Sequence, residues 1–396
     1  MMTDTNLKPL DGVKVLEFGQ IAAGPFAGSL LADLGADVVK VERPDGGDGF
    51  RAWPPLTKGP DGAVFSENFA SLNRNKRSIV ADLKNPADVA HLKQLVGACD
   101  IVLENFRPGV LARLGLGYED LNAVNPRLIY CSISGFGQTG PNANKGAFDV
   151  TVQGFSGLMS VTGETGGTPV KSGVPVGDFC AGLYAGYTIL ARLLQAQKTG
   201  KGAHIDCTML GGLIGVSALQ TSEYFGTGNT PQALGSAHPR NAPYRAFRGS
   251  DDYFIIAAGN DRLWAEVADA AGLPHLTTDP RFISQVLRAT HQDELFELLQ
   301  PEFEKKTAAF WLEDMERRGV PCSPINTYPD ALNSEQVAHM NLVRPLHLPN
   351  GAETRTTAFP IAMTGFEFDI YRSPPMLGAH NEEVAADWLS EPAKGA

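Results

Sequence analysis

One carboxylate stands apart from the rest of the chain. Asp178 lies in Val174-Pro-Val-Gly-Asp-Phe-Cys-Ala-Gly-Leu-Tyr-Ala-Gly-Tyr187, an apolar, small-residue stretch with no basic residue between Lys171 and Arg192. A carboxylate in dry surroundings beside a helix N-terminus can serve as a nucleophile. The same place also suits a helix N-cap, with the carboxylate accepting from the amides of Cys180 or Ala181. The residues that follow have the spacing of a buried helix, with Leu183, Tyr187 and Leu190 on one side. Gly182 and Gly186 let neighbouring elements pack close. Cys180 is two residues away, but its apolar neighbours would raise a thiol pKa, so it reads as packing.

Other chemistries lack their patterns. The eight His include no ligand pair at metal spacing, so no metal is expected. There is no Gly-x-Ser-x-Gly elbow and no Gly-x-x-x-x-Gly-Lys-Ser/Thr loop, which argues against a hydrolase elbow and a P-loop. Glu42, at the end of a second strand, suggests a dinucleotide site. The glycines at 19, 24 and 28 do not form Gly-x-Gly-x-x-Gly, so no nicotinamide cofactor is expected.

The positioning elements follow from the pattern. Val13–Phe18, a helix containing Phe26, Leu30, Leu31 and Leu34 with Pro25 at its first position, and Ala36–Glu42 form a strand–helix–strand unit. Strands are expected at 79–82, 99–104, 128–134 and 204–208, and helices at 87–97 and 209–218. The fold class is α/β: a Rossmann-like large domain with a parallel sheet, and a smaller α+β domain. The expected boundaries are 1–222 for the large domain, 223–325 for the smaller one and 326–396 for a return to the first.

With 396 residues, 43% of them hydrophobic, the chain can bury such a core. A net charge of −11 disfavours nucleic acid as a partner, and no run approaches the length of a membrane span. Five scattered Cys without Cys-x-x-Cys, and an N-terminus without an apolar run, suit a cytoplasmic setting. Asn73-Arg-Asn-Lys-Arg-Ser78 is a basic cluster that reads either as a solvated turn or as a phosphate contact.

Several stretches resemble one family. Ser156-Gly-Leu-Met-Ser-Val-Thr-Gly163, Thr168-Pro169, Gly177-Asp178 and Gly182-Leu-Tyr-Ala185 resemble the active-site stretch of class III CoA transferases. So do Leu103-Glu-Asn-Phe106, Gly135-Phe-Gly-Gln-Thr-Gly-Pro141 and Pro374-Pro-Met-Leu-Gly-Ala-His380. The family includes formyl-CoA transferase, carnitine-type CoA transferases and alpha-methylacyl-CoA racemase, and the frame is most like transferases using succinyl-CoA with dicarboxylates. The resemblance implies that Asp178 attacks an acyl thioester, with coenzyme A and a small carboxylic acid as substrates. It implies CoA contacts at Arg43, Ala81, Asp82, Leu83, Lys84, Asn105, Phe106, Arg113 and Lys145, and a loop over the thioester at Gln20 and Ala22. It also implies an interlocked homodimer. Phe148 stands before Asp149 where the racemases carry a His; Phe cannot move a proton, which favours transferase over racemase. A non-catalytic CoA-binding protein is the third reading. A second carboxylate on the acid would want a cation, for which His238, Arg240 and Arg51 are candidates.

Overall fold

The computed structural model describes residues 8–390. Its chain divides into two units, one of Met1–Leu158, Lys171–Thr227 and Gln336–Ala396, the other of Met159–Val170 and Gly228–Glu335. Relative to the expected boundaries, the breaks fall at 227/228 and 335/336, and 159–170 joins the second unit.

The first unit is built on six parallel strands: β1 (Lys14–Glu17), β2 (Asp37–Glu42), β3 (Lys76–Val80), β4 (Ile101–Glu104), β5 (Ile129–Ser134) and β6 (Ala203–Thr208). Their order is β3-β2-β1-β4-β5-β6, the Rossmann-like arrangement expected from the first strand–helix–strand unit. The inner strands β1, β4 and β5 are short and largely apolar because both faces are covered. Val15 points into a cluster with Ala27, Leu31, Ile101 and Ile189, whereas Leu16 points into one with Leu92, Val102, Tyr130 and Trp388. The order reverses between β1 and β4, and the loops leaving these two strands border a crevice.

Helix α1 (Ala23–Asp33) connects β1 to β2, and α2 (Pro86–Ala98) connects β3 to β4. Pro25 is the third residue of α1 and not its first, so the helix begins earlier than the Phe26 spacing indicates. Between β5 and β6 run α3 (Asp149–Phe155) and the 24-residue α4 (Val176–Thr199), and α5 (Met209–Val216) follows β6. Helix α4 turns the opposite way from its expected orientation. Its buried residues are Ala181, Gly182, Ala185, Gly186, Ile189, Leu193 and Ala196, while Leu183 and Tyr187 are exposed. Small residues won the inside because α1 lies against them. A Cβ on Gly182 would strike the ring of Phe26 and the α1 backbone.

The basic cluster at 73–78 is buried and internally paired, so it is neither a solvated turn nor a phosphate contact. Arg74 pairs with Asp33 at 2.5 Å and Lys76 with Glu17 at 2.7 Å. Arg77 reaches Asp37, Glu383 and Asp387. The cluster ties β3 to α1, β2 and the C-terminal helix Asn381–Leu389.

The second unit holds three antiparallel strands, β7 (Tyr244–Arg248), β8 (Tyr253–Ala257) and β9 (Cys322–Pro324), in the order β9-β8-β7. Helices Asp261–Ala270, Gln292–Phe303 and Ala308–Arg317 cover it around Phe247, Phe254, Trp264, Phe303 and Trp311. This is the expected α+β composition.

Candidate active site

At the crevice between β1 and β4 lies a cleft of about 290 Å³. Gln20, Ala22, Asn105, Phe106, Phe148, Asp149 and Asp178, all singled out in the sequence, line it together. Ile21, Ala23, Ser134, Gly135 and Met209 complete much of the wall. Only the Ser134-Gly135 strand end carried a signal, as the opening of a loop at a carboxyl edge.

Asp178 stands in the first turn of α4 but does not cap it. The N-cap is Pro175, no side chain caps the helix, and the Asp178 carboxylate accepts no hydrogen bond among the described residues. The cap reading is therefore replaced by a carboxylate open to the cleft. Burial, and then the negative charge of Asp149, push its pKa from 3.8 up to about 6. Asp149 is itself committed. Its Oδ1 accepts from the Gly177 amide at 2.7 Å and its Oδ2 from Gln153 Nε2 at 2.6 Å. Fully buried Gln153 accepts in turn from the Ser172 amide at 2.9 Å. Asp149 thus holds the first turn of α4 and, after burial, adds to the affinity of Asp178 for its proton. Cys180 is raised by burial and by Asp149, the wrong direction for a thiolate nucleophile.

Gln20–Ala23 form another part of the wall. Asn105 grips Gln20 from both sides, Oδ1 accepting from its amide and Nδ2 donating to its carbonyl, each at 2.8 Å. No side chain caps α1, so the amides of its first turn, at Ala23 in the wall, lack a side-chain acceptor. Glu104, just before Asn105, was not singled out as a functional residue. Its Oε2 accepts from the Phe106 amide at 2.8 Å, and burial pushes its carboxyl up to about 7. Phe148 is 73% exposed at the start of α3, an apolar ring beside two carboxylates.

The other expected CoA contacts do not line this cleft, but they follow neighbouring strands. Arg43, exposed after β2, donates to the Gly47 carbonyl. Ala81–Lys84 follow β3, and Ala81 borders a separate cavity of about 240 Å³. Arg113 and Lys145 are exposed, after β4 and β5 respectively. Arg51 is not available for a substrate carboxylate: it donates to both oxygens of Glu42 and to the Pro375 carbonyl, and stacks on Phe69. The Glu42 carboxylate also accepts from Ser78 and the Asp48 amide. His238 and Arg240 belong to the second unit, where His238 Nδ1 accepts from the Arg240 amide at 3.1 Å. None of the residues lining the cleft is a cation.

Residues 10–381 match the family described as CoA-transferase family III. The chain belongs to that family. Among curated relatives, the succinate–glutarate CoA-transferase of Agrobacterium fabrum is 41% identical, over 98% of this chain and 98% of its own length. The succinyl-CoA:glutarate CoA-transferase of Homo sapiens is 38% identical, over 97% of this chain and 87% of its own. A solved CAIB/BAIF family protein from Brucella suis is 37% identical with a TM-score of 0.85, covering 96% of this chain and 99% of that one. As a family III CoA-transferase the chain uses CoA thioesters as substrates. Among the described residues no helix is long and apolar enough to cross a membrane, and no group of three or more His, Cys, Asp or Glu could hold a metal ion.

Proposed function

We propose that the chain moves CoA from an acyl-CoA, with succinyl-CoA as a donor, to a free carboxylic acid through a thioester on Asp178. The observation that carries this reading is the uncapped, proton-hungry Asp178 carboxylate in the cleft. Its oxygen attacks the thioester carbonyl, giving an aspartyl–acyl anhydride and CoA thiolate. The thiolate attacks the Asp178 carbonyl and releases the donor as a carboxylate. The acceptor carboxylate then attacks the aspartyl thioester, freeing thiolate again, and thiolate attack on the new acyl carbonyl yields product and restores Asp178. Every nucleophile and leaving group is an anion, so no proton need move, which suits a cleft with Phe148 and without a basic side chain among its lining residues. Uncapped amides at the start of α1 are suited to developing oxyanions.

Arg43, Ala81–Lys84, Arg113 and Lys145, along the carboxyl edge of the sheet, are proposed to hold the nucleotide end of CoA, and Asn105 and Phe106 to guide its thiol arm. Dicarboxylic acids are the proposed acceptors, by similarity to the named relatives. Arg51 is occupied by Glu42, so it is not proposed as the cation for a distal carboxylate. A cytoplasmic setting suits five cysteines that are all free. The test is chemical trapping. With acyl-CoA present, hydroxylamine displaces CoA from the aspartyl thioester and leaves a hydroxamate at residue 178, found by peptide mass spectrometry. Protein left unmodified there at full turnover would overturn the mechanism.

The chain is also proposed to pair with a second copy as an interlocked dimer. Leu183, Tyr187 and Leu194 on α4, Ile214 and Val216 on α5, and Leu219, Tyr224 and Phe225 on the next helix (Ala218–Thr227) are all exposed. Sedimentation is expected to give the mass of two chains at micromolar concentration. Tyr187→Glu with Leu183→Glu should lower it to one chain or leave the protein insoluble.

A further inference from the structure

The wall of the Asp178 cleft contains a backbone conformation that its residue type disfavours. Ile21 sits at φ 64°, in the left-handed region, with a β-branched side chain. Such a residue persists only when its surroundings force it. Three restraints do so. Its side chain packs into a cluster with Phe50, Phe65 and Phe69. Asn105 pins Gln20 on the preceding side. Its amide donates to the Asp48 carboxylate at 3.1 and 3.2 Å from the two oxygens.

Asp48 is almost wholly buried, and its charge is held from below. Lys40 Nζ lies 2.8 Å from Asp48 Oδ2 and 3.0 Å from Glu17 Oε1, and donates to the Gly19 carbonyl at 2.6 Å. Burial opposes the Asp48 charge, but Lys40 together with the amides of Phe50 and Ile21 keeps the carboxyl below its ordinary range. On the far side of Glu17, Lys76 Nζ donates to the Pro25 carbonyl at 2.8 Å. The Gly19–Pro25 loop is therefore held at Gly19, Ile21 and Pro25 by a chain of buried charges running Asp48, Lys40, Glu17, Lys76. Gly28 is the position in α1 that lets the Glu17 carboxylate through, for a Cβ there would overlap it. None of these four charges lines the cleft.

We propose that Asp48, backed by Lys40, is a positioning residue for CoA transfer: it holds Ile21 in its left-handed turn and so sets the Gln20–Ala23 wall against Asp178. This inference rests on the nucleophile assigned above. It places the catalytic contribution in turnover, because the wall acts at the reacting carbonyl.

A double-mutant cycle tests it. Asp48→Ala is expected to lower turnover per folded enzyme about 100-fold, the cost of a wall misplaced by about an ångström, with KM for acyl-CoA within about threefold of the parent. Asp48→Asn keeps an oxygen for the Ile21 and Phe50 amides but loses the partner charge of Lys40. It should therefore lose thermal stability while keeping turnover within about tenfold of the parent. Glycine takes the left-handed turn without cost, so in an Ile21→Gly background Asp48→Ala should reduce turnover by less than about tenfold, a non-additive result. A merely structural Asp48 predicts turnover per folded molecule unchanged, or losses that add, and either result overturns the proposal. Should Asp48→Ala yield no folded protein, Asp48→Ser, which also removes the carboxylate accepting from the Ile21 amide, takes its place in the same cycle, and turnover unchanged or losses that add overturn the proposal. Asp178→Ala is measured alongside. If that variant keeps transfer, the nucleophile assignment fails, while the Asp48 cycle still judges the wall through turnover.

Discussion

Asp178→Ala is expected to lower CoA transfer by at least about 10⁴-fold, as removal of a covalent nucleophile does, while CoA still binds. The hydroxamate should vanish with it. Kinetics and equilibrium binding on one preparation separate the two effects, and a variant retaining transfer would remove the covalent mechanism. Asp178→Asn adds a stability signature with a definite sign. The folded-state pKa is raised from 3.8 to about 6, so the group favours folding below its unfolded value, and that contribution is lost as pH rises through about 6. At pH 7.5 the folded protein therefore carries an ionised group costing on the order of 1–3 kcal/mol. Asp178→Asn removes that cost and should melt several degrees above the parent at pH 7.5, with the difference shrinking toward pH 4. Equal melting at both values would show that burial does not tax this carboxylate.

The second large effect is on the pH profile. Attack needs ionised Asp178, so wild-type turnover is expected to climb through about pH 6 and level above it. Asp149→Asn removes the negative neighbour while keeping one oxygen for the Gly177 amide. The acid limb should move to lower pH. The move is partial because burial, the larger cause, remains. Plateau turnover should fall about tenfold, since Gln153 loses its acceptor and the first turn of α4 loosens. An acid limb unmoved by Asp149→Asn would mean that a different group controls ionisation, with Glu104, pushed up to about 7, the first to examine.

The sheet was legible because most of its strands hold short apolar runs set between turn residues, and Val13–Phe18 with Ala36–Glu42 already implied parallel pairing. The site was legible in its residue types but less so in their duties. Asp178 was visible as an odd carboxylate, yet cap and nucleophile differ only in where α4 begins, three residues that spacing does not resolve. The cluster at 73–78 looked exposed because its partners Glu17, Asp33 and Asp37 lie some forty to sixty residues earlier, and local sequence carries no record of them. The stripe of Leu183, Tyr187 and Leu190 misled for a related reason. Hydrophobicity ranks large side chains as inner, but α1 approaches so closely that only Gly and Ala fit between the helices. Ile21 carried no sign at all, since a left-handed turn at a β-branched residue is enforced entirely by groups distant in sequence.

The tight seam between α1 and α4 has one more consequence. Gly182 touches Ala23 and Phe26, and the Phe26 and Phe179 rings meet at 4.7 Å. Asp178 and the Gln20–Ala23 part of the wall are therefore carried by one tightly packed pair of rods. Under the proposed mechanism a bulkier or smaller acid is met by the rest of the lining, where Phe148 is largely exposed, and not by a shift between these two helices.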